Sequence, residues 1–367
     1  MPTRRHSEAF YESIKFFRAN LSMQNELDIK NLTPDDIESL LLNLGEDRYR
    51  TAQIVRWLYQ CAATSFDDMT NLSKKLRGKL SKASYISILN SVKEVNSNDG
   101  TRKYLFKLED GNLIESVLIP EADRLTLCIS TQVGCALGCK FCLTGRGGFI
   151  RNLGAAEIIN QICCIKDSLP KNERVSNLVL MGMGEPLANY NSTLKALRII
   201  TDPNGLQFSP RKVTLSTAGL VPEIKRLGKD IQVSLAVSLN ATENTTRNYL
   251  MPINRKYPLE MLLKTCHEFP LPPRKRITFE YILIKGINDS LDDAKRLINI
   301  LKGIRCKVNL IPFNEYPVSE YKRPHNDVIN RFQQVLIDSN YTSIVRASRG
   351  FDILAACGQL GSSWLNS

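Results

Sequence analysis

The sequence predicts an α/β protein: a partial (β/α)6 barrel preceded by a small N-terminal helical domain and a β-hairpin extension. Three observations point to this. Beyond Leu125, short apolar strands alternate with helical patterns, the rhythm of a parallel sheet with covering helices. Before Asn98, apolar residues recur at helical spacing. Between these regions an alternating run folds back across Asp110-Gly111, a hairpin signal. The expected division is 1–98 for the helical accessory domain, 99–124 for the hairpin and linker, and 125–367 for the barrel and its C-terminal segment.

At 367 residues and roughly 150 per domain, about two to three domains fit, with one large barrel plus a small accessory as the competing division. Hydrophobic residues at 43% and charged residues at 23% exclude wholesale disorder. Lys and Arg total 49 against 37 Asp and Glu, a formal charge of +12. That surplus suits a polyanionic partner, most simply nucleic acid. A merely solvated basic surface is the competing reading.

The opening Met1–Gln24 stretch carries Arg4, Arg5, Lys15 and Arg18 but no continuous apolar core, so it does not read as a secretory leader. No apolar run approaches the roughly 20 residues of a membrane span. The expected compartment is the reducing cytosol. There the 10 cysteines are better explained as metal ligands or catalysts than as disulfides. His6, His267 and His325 lie far apart, which disfavours a His-based site.

Each element has its own signal. Thr33 can cap a helix that starts at Pro34, with Asp35 and Asp36 at its positive end. Ile37, Leu40, Leu41 and Leu44 follow at helical spacing, and Gly45 can end it. A second helix from about Tyr49 carries Ile54, Trp57 and Leu58. A third, Leu72 to Leu80, holds Lys74, Lys75, Arg77 and Lys79 on one basic face, suited to RNA contact or simply to solvent. In the hairpin, Tyr104, Phe106 and Leu108 alternate before the turn, and Leu113 to Ile119 answers it. The barrel strands are expected at Leu125–Ser130, Asn177–Met181, Lys212–Thr217, Gln232–Ser238, Thr278–Ile284, Lys307–Ile311 and Ser343–Ala347. Helical patterns such as Ala155–Lys166, Tyr190–Ile200 and Ser290–Leu301 lie between them. Active residues then belong at the C-terminal ends of the strands. The last residues, Gly361–Ser367, read as a fraying tail.

The sharpest feature is Cys135-Ala-Leu-Gly-Cys139-Lys-Phe-Cys142, just after the first barrel strand. Gly134 and Gly138 give this loop the freedom to wrap. Structural zinc sites are commonly closed by four protein ligands. Three thiolates fit a 4Fe–4S cluster with one iron left open better. A zinc knuckle with Cys128 or Cys357 as fourth ligand, and three inert cysteines, are the alternatives.

This spacing, with Phe141 before the last cysteine, resembles the radical S-adenosylmethionine superfamily. The resemblance implies that Cys135, Cys139 and Cys142 hold a 4Fe–4S cluster whose open iron chelates S-adenosylmethionine. One electron from the cluster then yields a 5′-deoxyadenosyl radical. A second mark of that superfamily is Met181-Gly182-Met183-Gly184-Glu185-Pro186 at the end of the second strand. Its glycines are expected to let the backbone approach a ligand, and Glu185 to accept hydrogen bonds from the cofactor's ammonium group. A dinucleotide fingerprint fails here, because no third glycine follows and Pro186 interrupts the turn. Gly184, Glu185, Ser216, Ser238, Leu239, Asn240 and Asn314, all at strand ends, are the expected S-adenosylmethionine contacts.

Cys357, in Ala355-Ala356-Cys357-Gly358-Gln359-Leu360, and Cys128, mid-strand, narrow the resemblance. Over essentially the whole chain the sequence resembles the RNA adenine methyltransferases of the RlmN and Cfr branch, most closely its dual-specificity members. The resemblance implies methylation of adenine C2 in 23S rRNA and tRNA, with two S-adenosylmethionine molecules per turnover. Cys357 accepts the first methyl group. After the radical step the methylene carbon joins C2, and Cys128 attacks Cys357 to release the base through a transient disulfide. Glu115 matches the family's proton acceptor; an outward-facing strand residue is its alternative. An electron donor such as flavodoxin or ferredoxin and a monomeric state are expected. Asn240 replaces the family's usual histidine. Cys61, Cys163, Cys164, Cys266 and Cys306 match no family site, and Cys163 and Cys164 read as core fillers. Methylation at C8, as in Cfr, and a non-catalytic zinc-containing RNA-binding protein remain the competing functions.

Overall fold

The computed structural model describes residues 27–122 and 124–361; the Met1–Gln24 stretch and positions 362–367 of the tail lie outside them. The chain forms two compact units, divided between Ser87 and Ile88.

In the first unit, a two-residue strand, β1 (Leu27–Asp28), pairs in parallel with β2 (Ser84–Tyr85). Between them run the helices Pro34–Asn43, Arg50–Tyr59 and Lys74–Ala83. The Thr33 hydroxyl accepts from Asp36 N–H at 3.2 Å, and the Asp36 carboxylate accepts from Thr33 N–H at 3.0 Å. This is the reciprocal cap the sequence foreshadows. Ile37, Leu41, Ile54, Leu58, Leu76 and Leu80 fill the core. The third helix is less uniformly basic on its surface than expected. Lys74 and Lys75 are exposed. Arg77 instead donates to Asp67 O at 2.8 Å, and Lys79 pairs with Glu46 at 2.6 Å.

The second unit is built on a ten-stranded sheet. It opens with β3 (Ser91–Asn96), β4 (Arg102–Lys107), β5 (Leu113–Glu121) and β6 (Arg124–Cys128). A small ribbon of β7 (Gln132–Gly134) and β8 (Phe149–Asn152) follows. The sheet continues with β9 (Val175–Leu180), β10 (Val213–Thr217), β11 (Ser234–Ser238), β12 (Ile277–Leu283), β13 (Cys306–Pro312) and β14 (Ser343–Val345). The strand order is β14-β13-β12-β11-β10-β9-β6-β5-β4-β3. From β6 to β14 every pairing is parallel, whereas β3 to β6 pair antiparallel. The barrel is therefore open, its far edge formed by the short β14, which lies within the last of the seven strands expected from the sequence, Ser343–Ala347.

The sequence-based boundary at 98 shifts. Ser91–Asn96 is not part of the helical module but pairs with β4 as a third extension strand. Its burial pattern is almost wholly exposed, so it lacks the apolar alternation that marks β4 and β5.

Alternation along the strands creates the site. Cys128, Val179, Ser216, Ser238, Glu280 and Asn309 line an interior cavity. Their neighbours Leu127, Leu178, Leu215, Val237, Phe279 and Val308 are buried in the apolar core. Successive side chains leave a strand on opposite faces, so one strand serves both layers. The covering helices supply the other side, as with Ile158, Ile159, Ile162 and Ile165 of Ala155–Ser168. Cys163 and Cys164 of that helix are half-buried rather than core residues.

Candidate active site

The three clustered cysteines sit on a loop held shut by β7 and β8. Cys135 N–H donates to Gly148 O at 2.7 Å, and Cys142 N–H donates back to Cys139 O at 3.1 Å. Gly134 and Gly138 both take positive φ, as the wrapping requires. Phe141 and Leu143 anchor the loop in an apolar cluster with Leu250, Met251 and Phe313, against which Cys139 and Cys142 pack. All three thiols line one cavity of about 370 Å³. Burial pushes Cys135 up to about 12, and Cys139 well above its ordinary value with Cys142 and Cys135 adding to the effect. Burial raises Cys142 as well.

The glycines of Met181–Pro186 serve a purpose the sequence did not indicate. A Cβ on Gly182 would lie 2.7 Å from the Ile129 carbonyl, and one on Gly184 would lie 2.5 Å from Gln132 Cβ. They make room for protein, letting this turn zip against the extension of β6: Gly182 N–H donates to Ile129 O, and Thr131 N–H to Met183 O. Gly184 still lines the cavity. Glu185 is buried there. Its carboxylate accepts from Leu187 N–H at 3.1 Å and Ala218 N–H at 2.8 Å. Burial pushes its carboxyl up to about 7 despite these bonds. With the Thr217 side chain as a third donor, the carboxylate keeps acceptor capacity for a further donor.

The other strand-end residues divide. Ser216 and Ser238 line the cavity. Leu239 is fully buried and does not line the cavity; its N–H donates to Glu280 O at 2.9 Å and its carbonyl accepts from Arg247. Asn240 lines the cavity in a left-handed conformation, φ 59. Its amide oxygen accepts from Ile282 N–H at 2.9 Å. Asn tolerates this backbone region better than most residues, which gives the Asn at this position a conformational rationale. Asn314 donates to Cys357 O at 3.1 Å and accepts from the Ser348 hydroxyl. It thus holds the cysteine segment.

Cys357 lies on that segment beside the cysteine loop. Leu143 N–H donates to Gly358 O at 2.7 Å, and the Thr144 hydroxyl donates to Leu360 O at 2.7 Å. Cys357 is exposed as a residue although neighbouring atoms crowd its sulfur, while Cys128 at the end of β6 is buried. Both line the same cavity as the clustered thiols. Burial raises the Cys357 thiol to about 11, with Glu280 adding to the rise and Arg346 opposing it. Burial also raises Cys128, and the nearby Cys357 adds to it.

Glu115 is buried, which removes the outward-facing alternative. Its carboxylate accepts from Gly361 N–H at 2.8 Å and stands 3.9 Å from Lys103 Nζ. It is absent from the cavity wall.

Three residues were not foreseen. Glu280 and Asn309, paired across β12 and β13, line the cavity, and Asn309 donates to Glu280 at 2.9 Å. The signal was present: a charged residue inside the apolar run Ile277–Leu283. Arg247 is fully buried and donates to Leu239 O, Ala218 O, Ser238 O and Asn254 Oδ1 at 2.7–3.0 Å. It ties together the ends of β10 and β11, and nothing in its helix marked it.

Residues 27–86 match the ribosomal RNA large subunit methyltransferase N-terminal domain, and residues 129–298 match the radical SAM superfamily. A dual-specificity RNA methyltransferase RlmN from Geobacter sulfurreducens is 55% identical over 92% of this chain and 93% of its own length. The chain belongs to the RlmN family. Its RlmN relative from Syntrophus aciditrophicus is 51% identical over 93% of this chain and 98% of its own. A crystal structure of a radical SAM methyltransferase from Sphaerobacter thermophilus shares the fold, with TM-score 0.85 and 43% identity over 92% of this chain and 99% of that one.

As an RlmN-family member the chain is an S-adenosylmethionine-dependent radical SAM methyltransferase, so a 4Fe–4S cluster is implied. Among the described residues no group of three or more His, Cys, Asp and Glu side chains is arranged to hold a single metal ion. The donor set fits a cluster: three soft thiols on one loop line one cavity wall and act on one another electrostatically. Ligation must displace their protons. No helix among the described residues is long and apolar enough to cross a membrane.

Proposed function

We propose that this RlmN-family enzyme methylates C2 of adenine in 23S rRNA and in tRNA, acting as a cytoplasmic monomer supplied with electrons by flavodoxin or ferredoxin. The observation that carries the proposal is the shared cavity: Cys128 and Cys357 line it together with Cys135, Cys139 and Cys142. A radical enzyme without protein-bound methyl transfer has no use for the first pair.

In this reading Cys135, Cys139 and Cys142 hold the cluster. Glu185 receives the ammonium group of S-adenosylmethionine, with Gly184, Ser216, Ser238, Asn240 and Asn314 completing the binding wall. The cluster supplies the electron that releases a 5′-deoxyadenosyl radical from bound S-adenosylmethionine. Cys357 takes a methyl group from a first S-adenosylmethionine, losing its thiol proton as the sulfur–carbon bond forms. The 5′-deoxyadenosyl radical from a second molecule would take a hydrogen from that S-methyl and leave as 5′-deoxyadenosine; the methylene radical adds to C2, and the adduct gives up one electron, which the oxidised cluster would accept, together with the C2 proton. Glu115 accepts the C2 proton; because it does not line the cavity and Gly361 N–H donates to it, movement at the end of the cysteine segment would open it to the base. The Cys128 thiolate then attacks the Cys357 sulfur; the S–S bond forms as the bond from that sulfur to the methylene carbon breaks, and the displaced carbon takes up a proton to leave as the methyl group of the free base. Asn314 holds the Cys357 segment throughout.

Anaerobic reconstitution followed by assay on rRNA and tRNA tests this. Mass spectrometry of the digested RNA is expected to find 2-methyladenosine. Exclusive 8-methyladenosine would transfer the chain to C8 chemistry, and a colourless, iron-free protein that only binds RNA would reject radical catalysis.

A further inference from the structure

The segment that carries Cys357 is anchored on two sides. After the cysteine, it is bonded to the cysteine loop and to Glu115 through Gly358, Leu360 and Gly361. Before the cysteine, its partners come from the turn between β3 and β4. The Asp352 carboxylate accepts from the Ser97 hydroxyl at 2.5 Å and from Asn98 N–H at 3.1 Å. The Asp99 carboxylate accepts from Gly350 N–H at 3.0 Å. Further along, Lys103 Nζ donates to Leu354 O at 3.4 Å.

Backbone shape fits this grip. Gly350 has φ 63, and a Cβ there would fall 2.9 Å from Thr101 Cγ2 and 2.8 Å from Ala355 Cβ. Any other residue would pry the turn and the segment apart. Leu354 also sits in the left-handed region, φ 52, an unfavourable place for a branched side chain. Flanking contacts must hold it there.

Burial would push the Asp99 carboxyl up, but hydrogen bonds from Thr101 and Gly350 bring it down to about 2. Charge-assisted bonds of this kind outlast neutral ones. The Asp352 bonds are exposed, so they open more readily than buried ones.

We propose that the β3–β4 turn is a positioning element for Cys357, fixing the segment through Asp99 and Asp352 so that the thiol is presented to Cys128. This rests on the reading that Cys128 and Cys357 exchange. It assigns a task to β3, whose strand is nearly all exposed and adds little to the core. Neither aspartate touches the cavity wall, so both act through the segment and not on substrate.

The test uses the reconstituted full chain under anaerobic conditions, without RNA, treated with oxidised glutathione. Two thiols lose two electrons and two protons, and one glutathione disulfide becomes two thiols. The Cys128–Cys357 linkage is followed by peptide mass spectrometry. Asp352→Ala and Asp99→Asn are expected to slow its formation about threefold to tenfold, the range that the net loss of one ordinary hydrogen bond gives. Iron content and alkylation of Cys163 should stay at parent values. If either variant fails to fold, Ser97→Ala, which removes the hydroxyl that donates to Asp352 and accepts from Asp99 N–H but leaves both carboxylates, is expected to slow the linkage by a smaller factor. A rate equal to or faster than the parent's in folded variants overturns the proposal. Slowed linkage in a protein that never methylates RNA would retain the positioning role and reject the RNA reading instead.

Discussion

Gly361 N–H donates to the Glu115 carboxylate at 2.8 Å. One bond thus joins the hairpin to the end of the segment that carries Cys357, and it separates two tasks of the same side chain. Glu115→Gln keeps an acceptor for Gly361 but removes the charge that faces Lys103, so it should cost some stability without preventing folding. As proton acceptor it should fail, lowering methylated RNA by a factor on the order of 10²–10⁴ while 5′-deoxyadenosine still forms. Glu115→Ala leaves a buried N–H unpaired and should cost about 1–3 kcal/mol in denaturant unfolding. Full methylation by the Gln variant would restrict Glu115 to the structural task.

Glu185 makes the fold itself sensitive to pH. Its carboxyl rises from 4.5 to about 7 on folding. Between those values the native state binds the proton and the unfolded chain does not, so stability falls as pH rises. The protein is favoured below 4.5 and carries the full cost above about 7, roughly 3 kcal/mol. In cluster-free protein, thermal melts across this range should decline in the parent and stay flatter in Glu185→Gln. Parallel curves would mean that Glu185 is not the group responsible.

Arg247 should be the most sensitive position for stability. Its side chain satisfies three carbonyls and Asn254 at once. Arg247→Met fills much of the volume but strands those acceptors. Such losses in a buried network cost about 3–5 kcal/mol, enough to erase a large part of a typical domain's stability. Denaturant titration should show this as a lower midpoint. A midpoint within experimental error of the parent would mean that the carbonyls find other donors.

The legible parts of the sequence were those whose chemistry is local. Thr33, Pro34 and Asp36 lie within one turn, so their cap could be read directly. The Cys135–Cys142 spacing names its ligands because three thiols in eight residues have few other uses. The strands β9 to β13 announced themselves by apolar alternation against helical neighbours. What was hidden depends on contacts far apart in the chain. Ser97 and Asp352 are 255 residues apart, and no short pattern joins them. Gly182 and Gly184 were noticed, but their reason, the close approach of Ile129 and Gln132, appears only once β6 and β9 are neighbours. β3 has no buried face to write an alternation into its sequence.

Cys128 and Cys357 line one cavity as free thiols, yet the order of steps gives their losses different outcomes. In the proposed route Cys357 acts first, as methyl acceptor, so Cys357→Ala should give neither product nor adduct. In that route Cys128 acts last, breaking the bond between enzyme and RNA. Without it, radical formation and carbon–carbon bonding should proceed, and Cys128→Ala isolated from cells should carry covalently attached RNA, seen as a mass shift that ribonuclease trims. Cys128 is also buried at the end of β6. A purely structural cysteine there would predict only a modest loss of stability, on the order of 1 kcal/mol for a small cavity, and no adduct. The double variant Cys128→Ala, Cys357→Ala separates the two accounts, because it keeps the cavity but removes the methyl acceptor. It should be free of RNA where the single Cys128 variant is not. RNA-free single variants with normal turnover would falsify the resolving role and leave Cys128 to the core.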